Sequence, residues 1–296
     1  MFNCFNHLMM LHLRLWQHVG DDIWKDIKQP QPEVQHHQMI KAVEHAATGI
    51  EAIDEQIKKL YSNGYMHNHI RMYTASMVCN MAKAHWLQPS KWMYYYLLDG
   101  DIASNNCSWQ WVAVAFASKK YYFNQENVNK YTFSKQQNTF LDKPYEEIIE
   151  IPVPDILKPV TDLSLQTKLP VTEIPALDLS KPTLLYNSYN LDVIWRKDED
   201  VNRVLLLEPS HFEKYPVSEK VMQFIIDLSK NIEGLQIYTS EIDKLPFGNG
   251  GVISKEHPAF TYYPGIKDSR DWMFPEVNGN YNSFFSFWKQ CEKFLK

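Results

Sequence analysis

No stretch of this sequence stays apolar for the roughly 20 residues that a membrane-spanning helix needs, so a soluble chain is expected. The Leu- and Met-rich start, residues 1–15, is broken by His7, His12 and Arg14 and leads to no small-residue cleavage site, so no signal peptide is read there. Cysteine is scarce: Cys4, Cys79, Cys107 and Cys291 form no C-x-x-C pair, which argues against a zinc site or a disulfide framework and suits a reducing cytoplasm. Nor do His7, His12, His18, His36, His37, His45, His67 and His69 offer an H-E-x-x-H pair, so exposed or capping roles are expected and no metal. An excess of positive charge is also missing. The net charge of -5 excludes coating nucleic acid by bulk attraction and leaves only a local patch for that purpose. No G-x-S-x-G surrounds Ser210, His211 and Glu213, and no Lys-Ser/Thr follows the Gly248 to Gly251 turn, so a hydrolase elbow and a phosphate loop are both set aside. There are no internal repeats and no low-complexity tract.

What the chain has in excess is aromatic side chains, 9 Trp, 17 Tyr and 15 Phe in 296 residues, and these rings need a purpose. Up to about residue 120 the apolar spacing is helical, as in Ile50, Ile53, Ile57 and Leu60 and again in Met72, Ala75, Met77 and Cys79. Breaks fall at Gly20, Pro30 with Pro32, Asn63-Gly64 and Pro89-Ser90, the last predicting a helix to Leu98. Seven prolines from Pro144 to Pro182 then forbid long helices, giving a linker or wrapping arm. Beyond it, β-rich runs at Thr183 to Tyr189 and Arg203 to Glu208, an amphipathic helix over Ser218 to Asn231 and a strand at Leu235 to Tyr238 predict a small α/β unit with parallel strands. Trp272 to Phe274 is read as a further strand and Ser283 to Leu295 as a closing helix. The expected organisation is therefore a mainly α helical domain over residues 1–130, a Pro-rich arm over 131–182 and a small α/β domain over 183–296.

The densest chemistry lies between residues 48 and 111. It comprises Thr48-Gly49 with Asp54, then Asn63-Gly64-Tyr65-Met66-His67-Asn68-His69-Ile70-Arg71-Met72, then Asp99-Gly100-Asp101, Asn105-Asn106 and Trp109-Gln110-Trp111. Two carboxylates about a glycine, followed by paired amides and paired indoles, set hydrogen-bonding groups beside flat apolar walls. A planar heterocycle with a polar edge, such as a flavin ring, requires that combination.

These residues resemble the DNA photolyase and cryptochrome family, whose FAD-binding domain carries T-G-x-x-x-x-D, G-[WY]-x-H-N-x-x-R-M and D-G-D-x-x-x-N-N-x-x-W-Q-W segments in this order. The resemblance covers about the first 125 residues. It implies an FAD-binding photolyase-type helical domain, shortened at its N-terminal side, with the Ser/Thr-rich loop that grips the FAD phosphates lying upstream of the matched residues. It also makes the α/β unit unusual, because a photolyase carries its α/β antenna domain before the flavin domain.

By the same resemblance Asp99, Gly100 and Asp101 would lie against the polar edge of the flavin, with Arg71 pairing to Asp99 and His7 also on the cofactor side. Asn105 would face the flavin nitrogen that takes up a proton or radical density. Trp109 and Trp86 would be the first and second indoles of an electron relay, so that Trp109, Trp86 and Asn105 form the catalytic set. Asn68, His69, Met72 and Trp111 would line the pocket that receives a flipped, damaged dinucleotide. The implied activity is light-driven repair of pyrimidine dimers in DNA, a carbon-carbon lyase reaction in which reduced FAD supplies the electron. Damaged DNA would be the partner, with a protein partner admitted at the C-terminal unit and no membrane.

Departures keep other readings open. Glu33 or Pro30 falls near the third relay position, with Trp24 displaced from it, and His69 stands where a DNA-contacting Arg is usual, which weakens phosphate binding at neutral pH. A cryptochrome-like blue-light photoreceptor and a truncated, non-catalytic relative are the alternatives. Residue by residue, Asp99 and Arg71 could be a plain ion pair at a helix-end turn, and Trp86 and Trp92 plain core indoles, with no role assigned to Trp92.

Overall fold

The structure is a computed structural model that describes residues 23–277, 281 and 284–295. The readings made for residues 1–15, including His7 and Cys4, lie outside the described residues. The chain forms two compact units, Met1–Leu165 and Gln166–Lys296.

The first unit is helical. Its helices are α1 (Lys41–Glu44), α2 (Glu51–Asn63), α3 (Asn68–Ser76), α4 (Leu87–Tyr96), α5 (Ile102–Val112), α6 (Gln125–Thr132) and α7 (Tyr145–Ile148). A short antiparallel pair, β1 (Met39–Ile40) with β2 (Val160–Thr161), ties the segment just before α1 to residues 160–161. Helix α2 shows how the pattern works. Ile53, Ile57 and Leu60 recur on one face and are fully buried, while the Asp54 carboxylate accepts from Thr48 N, Thr48 Oγ1 and Gly49 N to shape the entering turn. The Thr-Gly and Asp of that first motif therefore build a turn locally. Gly64 ends α2 at φ +72°, its N–H donating to Leu60 O, and a Cβ there would come within 2.4 Å of Leu98 Cγ.

Helix α3 runs on into a π-helical turn over Met77–Met81. The irregularity has an evident anchor: buried Asn80 donates to Val112 O at 3.1 Å and Tyr121 O at 2.8 Å, and Ser76 Oγ donates to the same Tyr121 carbonyl. Helix α4 begins two residues before the expected Pro89-Ser90 break, because a proline is tolerated in a helix's first turn. Leu141, Ile148 and Leu157 from the Pro-rich stretch are fully buried in the same core as α2 to α5.

The second unit is built on a five-stranded parallel sheet of β3 (Thr183–Tyr186), β4 (Asn202–Leu207), β5 (Leu235–Thr239), β6 (Val252–Lys255) and β7 (Ile266–Asp268), in the order β5-β4-β3-β6-β7. Helices α8 (Pro209–Lys214) and α9 (Glu219–Ser229) connect β4 to β5, and α10 (Phe284–Cys291) closes the described chain. Strands β3 and β6 are buried along their whole length, as central parallel strands covered on both faces must be. Residues 170–178 follow the sheet edge by side-chain bonds: Thr239 N donates to Thr172 Oγ1, and Ala176 exchanges bonds with the Gln236 amide.

One expected element is corrected. Trp272 to Phe274 is not a strand, because Trp272 Nε1 is drawn to Glu256 Oε1 at 2.9 Å and Pro275 follows, and the outer strand is instead Ile266–Asp268.

Candidate functional site

Helix α5 organises the site. Asp101 caps it, its Oδ1 accepting from Ser104 N at 2.7 Å, and the same residue's carbonyl accepts from Asn105 N. Asp101, Asn105 and Trp109 recur at four-residue intervals and so stack along one side of the helix: a half-buried carboxylate, a half-buried amide and a buried indole. Asn105 Nδ2 donates to Ser90 O at 2.9 Å and Asn106 Oδ1 at 3.2 Å, and among the described residues its oxygen accepts from no donor.

Asp99 lies in the turn before the cap. Arg71 Nη2 reaches both of its oxygens, at 2.8 and 2.9 Å, while Arg71 Nε donates to Met66 O at 2.8 Å. The ion pair expected from the motifs is present. Three bonds from one guanidinium orient it more firmly than a surface pair would, although Asp99 is itself 38% exposed. Gly100 is close-packed here, since a Cβ would stand 3.1 Å from Leu97 O and 3.3 Å from Tyr94 Cδ2.

The other half of α5 is a structural clamp that the motif reading passed over. Asn106 and Gln110 are fully buried; Asn106 Nδ2 donates to Ile23 O, Gln110 Nε2 donates to Lys25 O, and Gln110 Oε1 accepts from Ile27 N. Two amides one turn apart thus hold residues 23–27 against the helix. The paired Asn and the Gln of the last motif signalled this, because buried amides one turn apart have to find backbone partners.

Trp86, at the start of α4, is fully buried, as is Trp92 on the same helix. Trp86 Nε1 donates to Asp26 Oδ1 at 2.6 Å, and Asp26 also lies 3.9 Å from His85 Nε2, whose ring stacks on His37. Burial lowers the pKa of His85, with Asp26 pulling it the other way. Trp92 Nε1 is held by Tyr61 Oη. Asp26 carried no sequence signal, since a lone Asp beside Pro-rich chain has many uses. Glu33, near the third relay position, is bound by Lys83 and Lys120, whose ammonium groups hold its carboxyl down to about 2. Trp24 sits under Lys91 Nζ, 4.4 Å from the ring centre.

Asn68, His69 and Met72 all fall on the first turns of α3 and are half-buried, and Trp111 is 44% exposed at the end of α5 with its ring 5.8 Å from Tyr121. His69 stacks on Tyr131 at 4.6 Å and on His67 at 5.7 Å. Burial, helped by His67, lowers its pKa, so His69 is uncharged at neutral pH. Among the described residues no group of three or more His, Cys, Asp or Glu could hold a metal, and burial raises the thiols of Cys79 and Cys107. No helix among the described residues is long and apolar enough to cross a membrane.

The donor set fits a flat heterocycle with a polar edge. Asn105 keeps an oxygen available, Asp101 and Asp99 supply acceptors for ring N–H groups, and Trp109 lies on the same side of the helix one turn on. Residues 2–172 match the family described as the FAD binding domain of DNA photolyase, for which the cofactor is FAD. The chain is 33% identical over 119 residues to the deoxyribodipyrimidine photo-lyase of Escherichia coli strain K12, covering 40% of this chain and 25% of that protein. It is 31% identical over 105 residues to the enzyme of that name from Agrobacterium fabrum, covering 36% and 22%. To the Neurospora crassa protein of that name it is 36% identical over 76 residues, covering 26% and 12%. The chain thus spans a quarter or less of the length of these relatives. No solved structure matches it.

Proposed function

Because the chain belongs to the family of the FAD-binding domain of DNA photolyase, we propose that it holds FAD against the Asp99, Asp101, Asn105 and Trp109 side of α5 and serves light-driven repair of pyrimidine dimers in DNA. The observation that carries this reading is the unit formed by the α5 cap and the Arg71 clamp. One helix start brings together two carboxylates and an amide with a spare oxygen, and Arg71 fixes the outer carboxylate through both its oxygens.

Bound FAD would supply the one-electron chemistry that splits a dimer. The chain's own residues would prepare that step. Arg71 holds Asp99 oriented through both carboxylate oxygens, and Asp101 fixes the first turn of α5, so the polar edge is set before any ligand arrives. Asn105 offers a group that can face either redox state of its neighbour without titrating. Trp109, buried on the same helix, and Trp86, buried with its indole N–H on Asp26, are the oxidisable rings for electron supply. On the DNA side Asn68, His69, Met72 and Trp111 would receive the flipped dinucleotide, whose unstacking costs less when its bases are already damaged.

A second reading, a blue-light photoreceptor, is favoured by one observation. His69, in place of a phosphate-contacting cation, is stacked between Tyr131 and His67 and held neutral. The discriminating experiment is binding of the FAD-loaded chain to an oligonucleotide carrying a single thymine dimer, against the undamaged duplex, followed by illumination. Preferential binding and light-dependent restoration of the thymines support repair. Flavin bleaching without any preference for damaged DNA leaves the photoreceptor.

A further inference from the structure

The second unit carries a site that the flavin reading does not use. From β3 the chain passes to β4 on one side, while β6 packs on the other, so the carboxyl ends of β3 and β6 meet at the topological switch point, where open α/β sheets take their ligands. The polar groups there are unusual. Asn187, directly beyond β3, is bridged to Asn190, and Ser254 on β6 lies beside Leu185 of β3. These three residues are 1%, 4% and 1% exposed, yet among the described residues Asn187 Nδ2, Asn190 Nδ2 and Ser254 Oγ have no hydrogen-bond partner. The Asn187 oxygen already accepts from Tyr189 N at 2.9 Å, which fixes its amide with the NH2 as the unpartnered side. One buried donor without an acceptor is a cost that folded proteins avoid, and three on adjacent strand ends mark a place built for acceptors from outside.

A flat wall stands beside them. The Tyr189 ring stacks on His257 at 4.4 Å and 23°, and Phe260 lies 6.2 and 5.7 Å from the two. The Lys255 ammonium is already taken up, Nζ being held by Asp192 and Asp271 at 2.8 Å each, and burial keeps His211 neutral by lowering its pKa. No glycine-rich turn and no helix start follows β3, which runs into Asn187-Ser188-Tyr189-Asn190, so the usual cradle for a phosphate is missing.

We propose that this edge binds a flat, uncharged heterocycle bearing ring carbonyl or ring nitrogen acceptors, the chemistry of a nucleobase or nucleoside. Its acceptor edge meets Asn187, Asn190 and Ser254, beside the stacked rings of Tyr189 and His257. The site is independent of flavin binding in the first unit.

The test follows the side-chain amide signals of Asn187 and Asn190 in the 15N-labelled full chain during separate titrations with uridine, adenosine and inorganic phosphate. One nucleoside is expected to shift both amides saturably, while phosphate does not. Asn190→Ala and Ser254→Ala each weaken that binding about fivefold, the loss of one hydrogen bond. Ser254→Ala also leaves the thermal midpoint unlowered, because the hydroxyl it removes has no partner to lose. The proposal is overturned if neither nucleoside moves the two signals at about 10 mM, a weak-binding limit. It is equally overturned if phosphate moves them instead, or if Ser254→Ala lowers the midpoint. A nucleoside captured elsewhere leaves both amides unshifted and counts against it.

Discussion

His211 on α8 is where the second unit should first feel acid. Its ring is 7% exposed, lies 4.9 Å from Phe260 in a stack and meets Phe212 and Tyr215 edge-on. Burial, with Lys214 adding to it, pushes its pKa from 6.5 down to about 4. In the unfolded chain the same ring titrates at its ordinary value, so on acidification the unfolded state takes up the proton first. Stability is therefore intact above about 6.5 and is lost as the pH falls from there towards 4. The whole displacement is worth about 3 kcal/mol, of which about 2 kcal/mol is gone by pH 5. Hydrogen exchange of the β3 and β4 amides at pH 7.5 and pH 5, corrected for intrinsic rates, reads this in the second unit alone. His211→Phe keeps a ring in place and removes the titration, so it should lose about 2 kcal/mol less than the parent over that interval. Glu208 has its own pKa raised, chiefly by burial, and contributes in the opposite sense, but it is common to both proteins and cancels. Equal losses in the parent and in His211→Phe would refute the reasoning, because the buried neutral ring would then not be what acid attacks.

Three further outcomes are expected in the first unit. Gly64→Ala must place a Cβ 2.4 Å from Leu98 Cγ at φ +72° and should cost upwards of about 1 kcal/mol in urea denaturation. Asn106→Ala leaves Ile23 O without its buried donor and should cost about 1–3 kcal/mol, with protease cutting after Lys25 made faster as residues 23–27 loosen. Arg71→Lys cannot reproduce the bonds to Asp99 and Met66 O together, so a fluorescence titration should show FAD affinity reduced about tenfold with little change in overall helicity.

Much of this architecture was legible in the residues, for reasons that can be named. Helix α2 could be read from Ile53, Ile57 and Leu60 and from Gly64 as its terminator, because local periodicity and a left-handed cap need no distant partner. Helix α9 was bounded by Ser218, whose hydroxyl accepts from Val221 N. Strands β3, β4 and β5 stood out as apolar or β-branched runs. Strand β7 did not, because Ile266-Lys267-Asp268 is an exposed edge strand with no apolar pattern, and Trp272 to Phe274 imitated one. At the site, the pairing of Arg71 with Asp99 was implied by the resemblance to the photolyase family, and nothing in local spacing alone required it. The Asp26 contact with Trp86 spans 60 residues and the Asn106 clamp spans 83, and nothing in local sequence announces a tie at that distance. The amide NH2 groups of Asn187 and Asn190, without a partner among the described residues, were likewise invisible, since only the folded strand ends show that they are buried.

The central claim is that α5 and Arg71 hold a flavin, and the absorption spectrum of the purified chain supplied with FAD, before and after blue light, tests it most directly. The account predicts a flavin spectrum that stays with the protein through gel filtration, bleaches under blue light with an external reductant, and is weakened by Asp101→Asn and Arg71→Lys. A chain that retains no flavin even with FAD in large excess, while its helices remain folded, would contradict it.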